Sequence, residues 1–393
     1  MNQEELFSKL RENPGYIKKS VAYLQNQFNA STEDISHVLA VLKLERGINP
    51  KKSYNERLEE LGLKPTDVKS VKFWESMNGE NRFSIQTKTH WYENKESVES
   101  FYKHLKEELT GEIEPVFLKH DYLDTKRALF IYTADKHVGA KTSPRSVYKN
   151  DYTAQVFEDR MMFILKEVGY LAKLYGKFDR IYLVDLGDPL DGYSGYTTRG
   201  GHKLPQNLDN REQFDTYVSV HKKWFDNLVE MNVTNDIYFS AVTEDNHSGA
   251  FGYCANRAVE TYLNVKYPTI HTKIMSKFIE HTEYGEHAIM FSHGKDSEDM
   301  KQGFPKKLDA KTEAYINDYI DHFQLNKKHC HFVKGDLHQE ANEFSKRFRY
   351  KNVLSLYGAS KWIHTNFGTS KAGACFEVIE KHSPRVHQHS IVF

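Results

Sequence analysis

Five short groups of ligand-type side chains punctuate the chain beyond residue 130. They are Asp135-Lys136-His137, Gly187-Asp188-Pro189-Leu190-Asp191, Asp245-Asn246-His247-Ser248, Ser292-His293-Gly294 and Gly335-Asp336-Leu337-His338. Carboxylates, imidazoles and an amide oxygen in such a set suit borderline divalent ions such as manganese, iron or zinc. Two ions about 3.5–4 Å apart can clamp both the attacking and the leaving oxygen of a phosphoryl displacement. Such a pair needs a bridging ligand, and Asp188 is expected to be it. A lone Asp or His in a loop is ordinarily a cap or a solvated side chain, and His202, His221, His281 and His287 are placed in that class.

The elements that must position these residues are legible as alternating runs. Ala128–Tyr132, Arg180–Asp185, Asp236–Val242, Ala288–Phe291 and His331–Val333 read as strands, and a β-rich stretch runs on to Phe393. Between them lie helical patterns: Phe157, Met161, Ile164, Leu165, Val168 and Tyr175 on one face, then Phe214, Tyr217, Val218, His221 and Leu228, then a helix near Cys254–Leu263. Strands and helices in alternation predict an α/β domain. In such sheets, sites form beyond the carboxyl ends of strands. Each ligand group follows a strand, so residues far apart in sequence can converge. In Asp-x-His, a strand period of two would point both side chains the same way.

In that order, the five groups resemble the calcineurin-like metallophosphoesterases, whose pattern is D-x-H, G-D-x-x-[DH], G-N-H-[DE], H and G-H-x-H. The resemblance covers about residues 128–392 and implies a metallophosphoesterase-type α/β sandwich. It implies one ion held by Asp135, His137, Asp188 and His338, and a second by Asp188, Asn246, His293 and Asp336. His247 matches the non-ligand histidine that stabilises the transition state and protonates the leaving oxygen, and Asp191 matches a position behind the ligands. A metal-bridging hydroxide is the implied nucleophile. Three positions depart from the pattern. Asp245 stands where the family has Gly, at a turn expected to be left-handed. Ser248 replaces an acidic residue that orients the catalytic His. Asp336 replaces a His, which favours manganese, with iron, zinc or magnesium as alternatives.

Upstream, Tyr16–Phe28 and the run from Ile35 carry helical spacing around Asn29–Asp34, which predicts a helix-turn-helix-like pair or a plain helical hairpin. Lys69–Lys88 reads as a hairpin around Asn78-Gly79. Glu96–Glu108 reads as a helix, and residues 110–126 as a linker. The predicted organisation is a helical region over 1–50, a small α+β region over 51–122 and the catalytic domain over 123–393. With 393 residues, 39% hydrophobic and 27% charged, the composition is globular. Lys+Arg and Asp+Glu balance at 54 each, which gives no overall pull toward polyanions or membranes. Three Cys, a polar N-terminus and no long apolar run lead us to expect a reduced, cytoplasmic protein without a membrane span.

Three features lean toward nucleic acid as substrate. They are the helix-turn-helix-like element, the segment Ser345–Lys351 with Arg347, Arg349 and Lys351 on one strand face, and the Gly-rich loop Tyr193–Leu204 with Arg199 and His202. The resemblance extends to SbcD-like repair exonucleases, which work with an ATPase partner. The other readings are a phosphatase or phosphodiesterase for small nucleotides or phosphoproteins, and a nucleic-acid-binding protein with a relict site.

Overall fold

The computed structural model describes residues 3–13, 16, 20–47, 68–75, 81–87, 103, 113–117, 126–142, 151–243, 245–296, 303–368 and 370–393. The chain divides into two compact units, residues 1–96 and 97–393.

In the first unit, α1 (Gln3–Glu12), α2 (Val21–Phe28) and α3 (Thr32–Gly47) share one apolar cluster. The Ser20 hydroxyl caps α2 by accepting from Tyr23 N–H at 3.3 Å, so this helix starts at Val21 rather than at Tyr16. Asn29, left-handed at φ 46°, ends it. The Ser31 hydroxyl accepts from Asp34 N–H at 3.0 Å, and Ile35, Val38, Leu39 and Leu42 form the buried face of α3. The sequence pointed to two helices. The structure has a third, because Leu6 and Leu10 of α1 complete a core that two short amphipathic helices leave open. β1 (Val68–Glu75) and β2 (Asn81–Thr87) pair antiparallel as the hairpin reading required. The turn at Asn78-Gly79 and nearly all of the expected helix Glu96–Glu108 lie outside the described residues.

The second unit is an α/β sandwich of two mixed sheets. Its elements are β3 (Arg127–Thr133), α4 (Ala154–Tyr175), β4 (Arg180–Asp185), α5 (Asn210–Met231), β5 (Ile237–Val242), α6 (Gly249–Lys266), β6 (His271–Met275), β7 (Glu280–Tyr284), β8 (His287–Ser292), α7 (Ala310–His322), β9 (His329–Lys334), β10 (Ala341–Phe344), β11 (Phe348–Asn352), α8 (Lys361–Phe367), β12 (Gly373–Glu380) and β13 (Val386–Val392). One sheet runs β13-β12-β3-β4-β5-β6, with β3 to β6 parallel. The other runs β10-β11-β9-β8-β7, with β11, β9 and β8 parallel.

Alternation along β3 shows how the layers are built. Leu129 and Ile131 face the helices α4, α5 and α6, while Phe130 and Tyr132 face the second sheet. Phe130, Tyr182 and Tyr238 are register partners and stack at 4.2 and 4.5 Å between ring centres, which fixes β3, β4 and β5 side by side. The far sheet buries its other face under α7 through Phe332, Phe348, Tyr350, Ile316 and Ile320. Among the described residues, no helix is long and apolar enough to cross a membrane.

Three expectations are corrected here. β11 lies inside its sheet between β10 and β9, so its basic face does not meet solvent. Arg349 and Lys351 are buried and reach Glu377 of β12 across the sandwich, at 2.6 and 3.3 Å. His221 is fully buried rather than solvated, its Nδ1 2.8 Å from Tyr217 O. His287 is likewise buried, held between His331 and the carbonyls of Glu380 and Ser383. His281, half-buried on the Tyr319 hydroxyl, and exposed His202 sit nearer the surface.

Candidate dinuclear metal centre

The sheet order explains the convergence. β3, β4 and β5 are neighbours in one sheet and β8 and β9 in the other, and all five carry their ligand groups just past their carboxyl ends. Asp135 and His137 do not continue the strand, as a period of two would require. β3 ends at Thr133, and both residues take left-handed backbone at φ 48° and 43°. Asp188, Asp336 and His338 do the same at 49°, 72° and 55°. Each such residue costs of the order of 1–3 kcal/mol, and strain of this kind collects at functional sites. Here it is held by long-range bonds: Asp135 N–H to Gly187 O at 3.0 Å, His137 N–H to Asp188 O at 2.9 Å, and Ser355 Oγ to Asp135 O at 2.9 Å. Gly187 is required beside them. It sits at φ 97°, and a Cβ there would lie 2.6 Å from His293 Nδ1.

The imidazoles are aimed by their far nitrogens. His338 Nδ1 donates to Gly358 O at 2.6 Å, and His293 Nδ1 donates to Leu186 O at 2.8 Å. His137 Nδ1 lies 3.2 Å from Asp191 Oδ1. Nε2 of each of the three rings points inward. His137 Nε2 faces His338 Nε2 at 3.3 Å and Asp188 Oδ2 at 3.6 Å. His338 Nε2 lies 3.6 Å from Asp135 Oδ1. His293 Nε2 lies 3.3 Å from Asp188 Oδ2 and 3.0 Å from Asn246 Oδ1. These nitrogens and oxygens stand at separations that ligands about 2.0–2.2 Å from a shared ion would have. Two of the groups able to hold an ion are Asp135/His137/His338 and Asp135/Asp188/His293. The donor set thus fits two divalent ions, with Asp188 Oδ2 between His137 and His293.

Burial sets the charge states. It pushes Asp135 up to about 6, against the opposing pull of His338 and His293. Burial also drives His137 well below the usual range, helped by His247, His338 and His293. His293 goes the other way: burial opposes its charge, but Asp188, Asp135 and Asp336 outweigh it. A proton or a metal ion at His293 Nε2 satisfies the same oxygens, so metal binding exchanges for protons.

The remaining site residues lie as follows. Asp336 bonds Asp135 Oδ1 through its backbone N–H at 3.2 Å, but its carboxylate is in none of the ligand groups. His247 stacks edge-on against His137 at 4.4 Å, and its Nδ1 lies 4.0 Å from Asp191 Oδ1. Burial pushes it down to about 4 despite Asp245. Asp245 is not left-handed, contrary to expectation. Its carboxylate instead accepts from Ser248 N–H at 2.6 Å, Ser248 Oγ at 2.9 Å and Gly249 N–H at 3.1 Å, capping α6. Ser248 is thus bound to Asp245, and the carboxylates that act on the charge of His247 are those of Asp245 and Asp336. Arg199 pairs with Asp296 at 2.9 Å, Arg347 pairs with Asp321 at 2.6 Å on the surface, and Arg349 is buried on Glu377.

Sequence reasoning missed the support beneath the centre. Lys136, between two ligands, is fully buried with its Nζ 2.8 Å from Asp185 Oδ1. Asp185 also accepts from Tyr217 OH at 2.6 Å and Gly187 N–H at 3.1 Å. The available signal was a lysine inside a motif flanked by apolar strand. Tyr357 packs edge-on against His137 at 5.6 Å, and its carbonyl is held by Arg160 at 3.0 Å.

No family model matches the sequence, and no curated protein matches it. Solved structures do match in part. An archaeal phosphodiesterase aligns at 9% identity over 67% of this chain and 99% of its own, with a TM-score of 0.31. Vacuolar protein sorting 29 from Cryptosporidium parvum aligns at 10% identity over 68% and 98%, with a TM-score of 0.30. A Thermus thermophilus sulfate thiohydrolase, SoxB, aligns at 9% identity over 70% and 58%, with a TM-score of 0.31. At this level of similarity they assign neither family nor activity.

Proposed function

We propose that this chain is a metal-dependent phosphoesterase of the calcineurin-like kind, hydrolysing phosphodiester bonds at a two-ion centre. The observation that carries the reading is the convergence of inward-facing Nε2 atoms of His137, His338 and His293 on the oxygens of Asp135, Asp188 and Asn246. Ions bound there would supply Lewis acidity and an acidified water. The chain's own residues do the rest. Asp188 sits between the two imidazole groups, while its Oδ1 accepts from His247 N–H at 3.2 Å. His247, neutral near pH 7, offers one N–H toward the transferring or leaving oxygen, with Asp191 beside its ring.

A DNA or RNA nuclease using manganese, possessing an ATPase or repair partner, is the finer form of this reading, and the N-terminal helices support it. A specific observation favours a second reading, small phosphoesters. The cations expected to track a polynucleotide already have partners: Arg349 and Lys351 on Glu377, Arg347 on Asp321, Arg199 on Asp296. The deciding experiment is cleavage of end-labelled single- and double-stranded DNA and RNA with manganese, beside an aryl phosphodiester and an aryl phosphomonoester. Asp188→Ala serves as the control. Polynucleotide cleavage lost in the variant is the expected result for a nuclease. Turnover of the aryl esters alone selects the second reading, and no turnover of any substrate overturns both.

A further inference from the structure

The loop after β4 folds back onto the loop that carries Asn246 and His247. Thr198 N–H and Thr198 Oγ1 both donate to His247 O at 2.9 Å, and Arg199 N–H donates to Asn246 O at 2.9 Å. The turn closes on itself through Thr197, whose Oγ1 donates to Arg199 O at 2.7 Å and accepts from His202 N–H at 2.9 Å. Thr198 also packs where Gly249, at φ 47°, has no side chain; a Cβ there would lie 2.7 Å from Thr198 Cγ2. From this turn the Arg199 guanidinium reaches the loop after β8. It donates to Asp296 O at 2.8 Å and to Asp296 Oδ1 at 2.9 Å. Asp296 is also bridged to Asp245 through the backbone.

Three loops are therefore tied at one point, and two of them carry Asn246 and His293, whose ligand atoms lie 3.0 Å apart. His338 is held elsewhere, by Gly358 O, and His137 Nδ1 lies 3.2 Å from Asp191 Oδ1. We propose that Arg199 is a positioning residue for one half of the centre: through its guanidinium on Asp296, which is bridged to Asp245, it fixes the Asn246/His293 side and leaves the His137/His338 side untouched. This rests on the two-ion reading. It also gives Arg199 a role in holding loops rather than substrate.

The test is a calorimetric titration of the full-length, metal-free protein with manganese alone, for wild type, Arg199→Ala, Asp296→Asn and the double variant. The wild type is expected to bind two equivalents. Arg199→Ala is expected to keep one site unchanged and to weaken the other about 10–100-fold, the range for residues that orient ligands. The double variant should be no worse than Arg199→Ala, because that change already removes every bond that Asp296→Asn could weaken. Thermal unfolding of the metal-free proteins separates this from general loosening, which would weaken both sites together and overturn the proposal. Two unchanged sites in Arg199→Ala would overturn it too. A wild type that binds no manganese would instead overturn the two-ion reading.

Discussion

His338 and His293 each have one nitrogen committed to a backbone carbonyl and one left for chemistry. Disturbing the loops that carry those carbonyls should therefore cost about 10–100-fold in metal affinity. The same burial shifts histidines that touch no ion. His221 is pushed down to about 3 by burial and by Lys136. Its folded pKa lies below the unfolded value of about 6.5. Between these values the unfolded chain binds more protons, so stability rises with pH across that window and is fully present above it. Denaturant unfolding from pH 7 down to 4 should show this group contributing a slope of up to about 1.4 kcal/mol per pH unit. In His221→Phe, the slope should become shallower by about that amount. An unchanged slope would mean that His221 is not the buried neutral group described. At this scale the sequence disclosed which residue types meet, because the five motifs are short and ordered. It did not disclose how they are aimed. The left-handed backbone of Asp135 and His137 is imposed by Gly187, Asp188 and Ser355, all distant in the chain. Nor did it place the Asp336 carboxylate, which lies beside Gly303.

At the scale of elements, strands with continuous apolar runs were legible, and strands without them were not. β6 and β7, HTKIM and EHTEY, are polar and only partly buried, so they carry no periodic signal. β11 misled for the opposite reason. Its alternating cations look like a solvated face, but a central strand has none, and the charges turn inward onto Glu377. That carboxylate is fully buried and also accepts from Tyr132 OH at 3.2 Å. Burial opposes its ionisation, but Arg349 and Lys351 outweigh this and hold its pKa below the usual range. Breaking a buried pair by removing one partner costs about 3–5 kcal/mol, because the other charge is left uncompensated. Glu377→Ala should lower unfolding free energy by about that much, measured from the denaturant midpoint. A loss below about 1 kcal/mol would place it among ordinary substitutions and contradict the cross-sheet role. The N-terminal unit makes a related point: the faces of α2 and α3 were readable, yet the third helix became visible only as the partner that closes their core.

At the scale of the whole molecule, the arrangement of two sheets is what turns five separate loops into one site. β3, β4 and β5 bring Asp135, His137, Asp188, Asn246 and His247 from one side; β8 and β9 bring His293 and His338 from the other. Neither sheet alone holds a complete ligand set, so the centre reports on the packing of the sandwich as well as on chemistry. The balanced charge of the chain, 54 basic against 54 acidic residues, adds no long-range attraction for a polyanion. On the proposed function, selection among phosphoesters then falls to groups close to the centre. The central claim is that two ions share this site, and crystallographic anomalous scattering from a manganese-soaked crystal addresses it most directly. The account predicts two peaks about 3.5–4 Å apart, one against His137 and His338, the other against His293 and Asn246, with Asp188 between them. A single peak, or none within reach of these residues at saturating manganese, would contradict it.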